Sequence, residues 1–314
     1  MLVSHRRRPG VRSGALLACA ALSATVVGAP APTLADHPDE DPVVELDTWA
    51  WCGADPDAPN AAASVATMAD VAGIDVTFGP CIQPEPGYTP AEPNIRYAPP
   101  DVYERLVDLN ASVGIRTVVY DRRLWDPDPM VRDAAIAQWQ PRLEHIVAWD
   151  LGDEFDPDGP EWPILIERWD RVRDGATAAT GIEPFVNHLH WSLDDALRDL
   201  PGSEDRTSFT RYVGDKGDHI AREHDALVDE LLCGVNAFRH FGLEPTAASI
   251  RTDMALLRNA GCDAYLVFGG YRVLGTDLFG EWSLTYADGS ATPYASAVRD
   301  GATFVDTAGA YPGR

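Results

Sequence analysis

One local pattern recurs along this chain: a helical stretch ends at a glycine, and a short apolar run follows at once. The copies lie at residues 72–78, 113–119, 180–186 and 260–266. Glycine ends helices well because it adopts positive φ without a steric penalty. Apolar runs of this length are typical of parallel strands that are buried on both faces. The repeat therefore predicts a parallel sheet covered by helices.

The number of strands favours a closed barrel. Strands are predicted at residues 43–51, 74–79, 115–120, 146–152, 184–190 and 262–268. We expect an eight-stranded (β/α) barrel, which needs two further strands from the irregular region 200–245. There, residues 208–213 form a candidate strand, and 219–241 have the spacing of a long helix, with one face made of Leu227, Leu231, Val235 and Phe238. An open doubly wound sheet is the alternative, although no Gly-x-Gly-x-x-Gly motif follows any predicted strand.

The N-terminus has the parts of an export signal. Arginines precede an apolar run from Ala15 to Ala29, and small residues then lead to Ala35. The run is shorter than the roughly 20 residues of a membrane-spanning helix. We therefore predict a signal peptide at residues 1–35, a flexible leader at 36–43 and a single barrel domain at 44–314. This organisation predicts a secreted protein.

The charge of the chain excludes two classes of partner. Its net charge is −24, and removal of residues 1–35 lowers the net charge to −28 because four arginines and no acidic residues are lost. A surface of this sign repels nucleic acid and anionic lipid, so we expect neither as a partner of the mature chain. We expect no cofactor. The oligomeric state is left open by the sequence, with a monomer as the working expectation.

Cysteine usage agrees with export. After residue 35 the chain keeps Cys52, Cys81, Cys233 and Cys262. An even count in an exported chain predicts two disulfides, and four cysteines allow three connectivities. We favour Cys52–Cys81 and Cys233–Cys262, because the members of each pair are close in sequence and near predicted element ends. No Cys-x-x-Cys spacing is present, which argues against a zinc–thiolate site.

Function in a (β/α) barrel gathers at the carboxyl ends of the strands. In this chain those ends are rich in carboxylate, aromatic and imidazole side chains: Asp47, Trp49, Trp51, Asp121, Trp125, Asp150, Asp153, Glu154, Asn187, His188, His190, Trp191 and Tyr271. Side chains two apart on a strand share a face. We therefore expect Asp47, Trp49 and Trp51 to line up together, and Asp150 to share a face with Glu154.

Two segments carry a resemblance to a known group of proteins. Residues 148–155, Ala-Trp-Asp-Leu-Gly-Asp-Glu-Phe, resemble the Trp-x-Leu-Gly-Asp-Glu-Pro segment that closes the fourth strand in many glycosidase-type (β/α) barrels. Residues 283–293 resemble the strand, Asp-Gly turn and Thr-Pro helix start at the end of such barrels. The resemblance implies cleavage of a glycosidic bond with Glu154 as the general acid/base. Phe155 stands where those relatives have proline.

Glycoside cleavage uses two carboxyl groups, one protonated and one ionised. Asp150 and Asp153 are predicted to tune the pKa of Glu154 by like-charge repulsion. The second carboxylate, which relatives often place at the end of the seventh strand, is left open among Asp47, Asp121, Asp215, Asp218, Glu230 and Glu281. The alternative for Glu154 itself is a helix-capping or surface carboxylate.

A carbohydrate ligand also fits the aromatic content, because sugar rings stack on tryptophan. The chain has 9 tryptophans, although any single one is more often part of the core. The predicted sugar platforms are Trp49, Trp51, Trp125 and Trp191. The predicted polar contacts to substrate are Asp47, Asp121, Asn187, His188, His190 and Tyr271.

The sequence also allows two other functions. His188 and His190 are spaced to bind a metal on a strand, with Glu154 or Asp150 supplying oxygen, as in a metal-dependent hydrolase of an ester, amide or phosphodiester. A barrel that binds carbohydrate without a carboxyl pair is the non-enzymatic alternative. The prediction that best joins the observations is a secreted glycoside hydrolase acting on an extracellular polysaccharide or glycoconjugate.

Overall fold

The computed structural model describes residues 43–80, 98–210, 217–224, 227–237, 245–268, 284–286 and 288–305, which all belong to the unit Asp41–Arg314. Its strands are β1 Val43–Glu45, β2 Thr48–Ala50, β3 Val76–Thr77, β4 Arg116–Val119, β5 Ile146–Asp153, β6 Pro184–Leu189, β7 Thr207–Thr210, β8 Leu231–Asn236, β9 Ala264–Phe268 and β10 Thr303–Val305. Its α-helices are α1 Ala61–Asp70, α2 Pro100–Ala111, α3 Pro129–Trp139, α4 Trp162–Val172, α5 Ala178–Thr180, α6 Leu193–Asp199, α7 Gly217–His224, α8 Ala247–Asn259 and α9 Pro293–Ala302. Short 3-10 turns lie at Arg122–Trp125, Gln140–His145 and His190–Ser192.

Strands β2 to β9 pair in chain order and close into a barrel, which confirms the predicted (β/α)8 fold. Every neighbouring pair is parallel, including β2 with β9, where Trp49 lies opposite Leu266. The open doubly wound sheet is therefore excluded. Because the strands are parallel, all of their carboxyl ends meet at one rim of the barrel.

The predicted first strand, residues 43–51, is wrong as a single element. Val43–Glu45 pairs antiparallel with Thr303–Val305 in a separate two-stranded sheet, and only Thr48–Ala50 enters the barrel. The alternating pattern continues across both pieces, so the local sequence gives no sign of the break. The partner of β1 lies at the other end of the described chain, which local periodicity cannot register.

The glycines of the repeat adopt the conformation that the sequence predicts. Gly73, Gly114, Gly181 and Gly261 have φ of 66°, 85°, 74° and 108°. Each lies between a helix and the next strand of the barrel. At these positions a side chain with Cβ would be strained.

The region 200–245 supplies the two missing strands. The candidate strand at 208–213 is confirmed in its first half as β7. The long helix predicted at 219–241 is wrong, because α7 ends at His224 and residues 231–236 form β8. Leu231 and Val235 are four residues apart, a spacing that fits a helix face and also a strand that is buried on both sides. Both residues are completely buried between β7 and β9.

The predicted pair Cys233–Cys262 forms a disulfide with Cα atoms 6.0 Å apart. It joins β8 to Cys262, two residues before β9. Cys52 is also held in a disulfide, and its predicted partner Cys81 lies outside the described residues.

The predicted signal peptide and most of the leader also lie outside the described residues. Within the described part of the chain, no helix combines the length and apolar character needed to cross a membrane.

Aromatic side chains fill the inside of the barrel. The Trp49 ring centroid is 5.5 Å from that of Phe185, although β2 and β6 stand on opposite sides of the ring of strands. Phe78 lies 6.0 Å from Trp49 and 4.6 Å from Trp51, and Trp51 lies 5.7 Å from Phe268. A second apolar cluster packs between β4–β6 and the helices outside them.

Candidate functional site

Glu154 directly follows β5, the fourth strand of the barrel, and lies at the carboxyl-end rim. Its φ is 54°, which makes it the one non-glycine residue with positive φ among the residues described. Such a conformation costs about 1–3 kcal/mol and persists only where the surroundings hold it in place. Here the Glu154 N–H donates to the Asn187 carbonyl on β6 at 2.8 Å. The candidate acid/base is thus held in a strained position by the neighbouring strand.

A buried polar network supports this position from three successive strands. The Asn187 Nδ2 donates to Asp153 Oδ1 at 2.8 Å and also to the Thr210 hydroxyl. The Ser208 hydroxyl donates to Asn187 Oδ1 at 2.9 Å. Both amide hydrogens of Asn187 are thereby used, and its side chain is fully buried. Asn187, predicted as a substrate contact, uses its side-chain amide for hydrogen bonds to Asp153, Thr210 and Ser208, and its carbonyl accepts from the Glu154 N–H.

The sequence motifs missed Ser208 and Thr210. Both lie on β7, which the helix–glycine–strand repeat does not mark. Ser208 lies opposite Asn187 in the β6–β7 register, and Thr210 lies opposite Leu189. The sequence does contain one signal for them. Ser208 and Thr210 are polar residues two positions apart, and they follow the predicted strand whose end, 187–190, is rich in polar residues.

The expected alignment of Asp150 with Glu154 is not kept. The pairing of β5 with β6 shifts register between Asp150 and Asp153, so the simple two-residue alternation is interrupted there. Gly152 takes φ of 135° within this irregularity, and its N–H donates to Asp150 Oδ1 at 2.9 Å. Asp150 therefore binds its own strand. Asp153, which precedes Glu154 in the chain, is the carboxylate that belongs to the network.

Trp49 and Trp51, both predicted sugar platforms, are core residues. Their side chains are 1% and 4% exposed, and both belong to the aromatic filling of the barrel. Arg206, which precedes β7, lies 5.2 Å from the Trp49 ring centroid and so covers it from the amino-end side. The predicted platform role is wrong for these two residues, because a sugar ring cannot reach their faces.

Asp47 lies at the opposite end of the barrel from Glu154. It precedes β2, and its Oδ2 is 3.8 Å from a guanidinium nitrogen of Arg116 at the start of β4. Residues before parallel strands lie at the amino-end rim, so Asp47 is not part of a carboxyl-end site. Asp47 therefore does not join Trp49 and Trp51 in a carboxyl-end site.

Asp121, at the carboxyl end of β4, is a structural carboxylate. It accepts hydrogen bonds from the Arg123 side chain at 3.0 and 2.7 Å, from the Arg123 N–H at 3.1 Å, and from the Trp139 indole at 2.8 Å. The same hydrogen bonds raise the pKa of Arg123 above its ordinary value. Asp121 is 3% exposed, so these partners take the place of the predicted substrate.

The substitution Asp121→Asn is expected to lower the free energy of unfolding by about 2 kcal/mol, because two charge-assisted hydrogen bonds to Arg123 are weakened. The matched control is Asp108→Asn, since Asp108 binds Arg142 through two hydrogen bonds of 2.8 Å but is exposed. We expect the control to cost less than about 1 kcal/mol. Urea denaturation measures both, and equal losses would contradict the structural role of Asp121.

Trp125 follows Asp121 in the 3-10 turn and is 8% exposed. Its ring meets Tyr120 edge-on at 5.2 Å, and the Arg168 guanidinium lies 5.5 Å from its centroid. Trp125 therefore has little free face for a sugar.

Trp191, which follows β6, is 55% exposed and keeps the exposure that a platform needs. Tyr271 lies outside the described residues.

His188 does not face the barrel interior. Phe185 and Asn187 are two apart and point inward, so His188 shares the outward face of Val186, which packs in the outer apolar cluster. His188 is 1% exposed, and burial lowers its pKa to about 3, which keeps the imidazole neutral at pH 7. The side chain of His190 is not among those that the structure describes. Among the described residues, no group of three or more His, Cys, Asp or Glu side chains could hold a metal ion.

The candidates for the second carboxylate are distributed around the molecule. Glu230 precedes β8 and binds Arg206 at 2.6 Å, which places it with Asp47 at the amino-end rim. Asp121 is occupied by Arg123 and Trp139. Asp218 lies in the first turn of α7. Asp215 and Glu281 lie outside the described residues.

No protein-family model and no curated protein sequence matches this chain. Several solved structures share its shape. An endo-β-1,4-mannanase from Thermotoga petrophila matches with a TM-score of 0.53 and 12% identity, over 82% of this chain and 76% of that chain. An endo-1,4-β-mannanase from Rhizomucor miehei has a TM-score of 0.53 and 10% identity, over 82% and 94%. A β-galactosidase from Rahnella sp. R3 has a TM-score of 0.53 and 12% identity, over 84% and 57%.

At such low identities these likenesses define the fold alone. The chain is an α/β protein with the (β/α)8 barrel that the two mannanases and the β-galactosidase also have. Because barrels of this kind host many chemistries, the function must be argued from the site itself.

Proposed function

We propose that this chain is a secreted glycoside hydrolase and that Glu154 is its general acid/base. The observation that carries the proposal is the strained backbone of Glu154 at the carboxyl end of β5, fixed by the hydrogen bond to the Asn187 carbonyl. Strain of this kind is retained at functional sites when it sets the direction of a reacting group. The glycosidase-type resemblance of residues 148–155 assigns the acid/base role to the same residue.

In the hydrolysis of a glycosidic bond, the Glu154 carboxyl protonates the leaving oxygen while positive charge develops at the anomeric carbon of the sugar. A second carboxylate, roughly 5–10 Å away, acts as nucleophile or as base for water. In this proposal Asp153 and Asn187 hold the Glu154 backbone in place, and Trp191 offers its exposed ring to a sugar. The second carboxylate is sought near Glu154, and the candidates from the sequence that remain are Asp215, Asp218 and Glu281.

One observation favours a different function, a barrel that binds carbohydrate without cleaving it. Asp47 and Glu230 lie at the wrong rim, and Asp121 is occupied by its own hydrogen bonds. These are half of the carboxylates nominated as partners of Glu154. If none of the other three candidates, Asp215, Asp218 and Glu281, approaches Glu154, the rim retains an exposed tryptophan without the pair that hydrolysis needs.

A panel of polysaccharides separates these functions. We expect the purified protein to release new reducing ends from at least one of mannan, glucan, galactan or a uronate-containing polymer. We also expect this activity to survive exhaustive chelation, because His188 faces away from the barrel interior. Retarded migration in polysaccharide-containing gels with no reducing ends released would contradict hydrolysis and support the binding barrel.

A further inference from the structure

A cavity of about 440 Å³ lies outside the barrel, between the 3-10 turn Arg122–Trp125 and helix α4. Its walls carry four arginines and only two carboxylates; the lining residues are Arg122, Arg123, Trp125, Asp126, Pro127, Ile164, Glu167, Arg168 and Arg171. The whole chain has a net charge of −24. Even when Asp121, which binds Arg123, is counted with the two lining carboxylates, four guanidinium groups face three carboxylates. The cavity is therefore positive in a molecule that is negative overall, which points to an anionic ligand.

Two of the four arginines, Arg123 and Arg171, have more N–H groups than their hydrogen bonds within the protein use. Arg123 donates to Asp121 through Nε and Nη2. Arg171 donates to the Trp125 carbonyl through Nη1 and to Glu167 through Nη2. A guanidinium has five N–H donors in a rigid fork, so both side chains retain N–H groups beyond those bonds. The same bonds hold the two guanidinium groups in fixed positions, which lowers the entropic cost of binding.

The walls of the cavity strengthen the attraction of its charges. Trp125 forms one wall, and the Arg168 guanidinium lies 5.5 Å from its ring centroid. Ile164 adds an exposed apolar side chain to the α4 side. Apolar groups around a charged cavity lower the local dielectric constant and so strengthen its electrostatic interactions. The volume falls in the range of small-molecule sites.

We propose that this cavity binds a compact oxyanion: a carboxylate, sulfate or phosphate group that receives N–H groups from Arg122, Arg123, Arg168 and Arg171. Planar arginine forks match the geometry of these groups in paired hydrogen bonds. The oxyanion has two sources, a dissolved ion or a charged substituent on a sugar. The proposal does not depend on Glu154, so it can stand or fail separately from glycoside hydrolysis.

Isothermal titration calorimetry of the intact protein tests the proposal. The probes are sodium sulfate and sodium phosphate, each against sodium chloride at equal ionic strength, and sodium glucuronate against glucose. We expect saturable binding of at least one oxyanion and none of chloride or glucose. Glucuronate binding more tightly than sulfate and phosphate would assign the site to a sugar-borne carboxylate. The reverse order would assign it to a dissolved ion.

Two substitutions locate the binding. We expect Arg122→Ala and Arg168→Gln each to weaken oxyanion binding roughly tenfold, because each removes a guanidinium from the cavity. Arg105→Ala is the matched control, since Arg105 is an exposed arginine bound to Asp57 and Asp101 away from the cavity. Circular dichroism establishes that each variant is folded. Unchanged affinity in both cavity variants, or no response beyond that of chloride, would overturn the proposal.

Discussion

The substitution Glu154→Gln is expected to lower kcat/KM on the responsive polysaccharide by about 10²- to 10⁴-fold. Glutamine has the size of glutamate but cannot transfer a proton, and general acid–base catalysis contributes about that factor. Initial rates of reducing-end release measure the loss. Glu161→Gln is the matched control, because Glu161 lies in the same connection between β5 and α4. We expect the control to keep its activity.

Comparing substrates with different leaving groups distinguishes the loss of acid catalysis from a general loss of structure. On an aryl glycoside that leaves as a stable phenolate, no proton needs to be donated when the glycosidic bond breaks. We therefore expect Glu154→Gln to retain much more of that bond-breaking step than of polysaccharide cleavage. Equal losses on both substrates would contradict the role of Glu154 as proton donor.

The strained backbone makes a second, independent measurement possible at the same residue. Glu154→Gly and Glu154→Ala both remove the carboxyl, but only glycine accepts φ of 54° without strain. We expect the glycine variant to be more stable than the alanine variant by about 1 kcal/mol, as left-handed backbone costs roughly that much for residues with Cβ. Both variants are expected to be inactive. An alanine variant as stable as the glycine variant would show that the backbone at residue 154 is not strained.

The fold was predictable where the signals were local. Positive φ at Gly73 or Gly181 follows from what glycine can do, and the apolar run after each glycine is visible within a few residues of sequence. The break between β1 and β2 was not predictable in this way, since β1 is defined by its pairing with residues 303–305. The sequence prediction at β8 was wrong for a related reason. Its apolar run fits a buried helix and a buried strand equally well, and only its neighbours in the barrel decide.

The candidate site was predictable to the same limited depth. The placement of Glu154 after a barrel strand followed from the motif around Gly152. The number of aromatic residues did not reveal that Trp49 points across the barrel to Phe185, because inward and outward faces depend on the register of the whole ring of strands. In the same way, Asp121 looked available in the sequence. Its partner Trp139 comes from a helix 18 residues further along the chain.

Acidification is expected to destabilise the protein through His188. Burial lowers the pKa of this imidazole to about 3, whereas the ordinary value in an unfolded chain is 6.5. Between these values the unfolded state binds a proton that the folded state does not. Stability therefore falls as the pH drops below 6.5, by about 1.4 kcal/mol per pH unit. From pH 7.5 to pH 5 the contribution of His188 amounts to about 2 kcal/mol.

Urea denaturation at pH 7.5 and at pH 5, with and without His188→Leu, isolates this contribution. Other titrating groups affect both proteins alike, so the difference in pH dependence belongs to residue 188. We expect the leucine variant to lose about 2 kcal/mol less than the wild type over this interval. His145→Leu serves as the control for replacing a histidine by leucine, because the His145 side chain is 38% exposed. If His188→Leu and the wild type lose the same stability, the imidazole takes up its proton in the folded state. That result would contradict the burial of His188 on the outer face of β6, which is expected to exclude protons and ligands from its side chain.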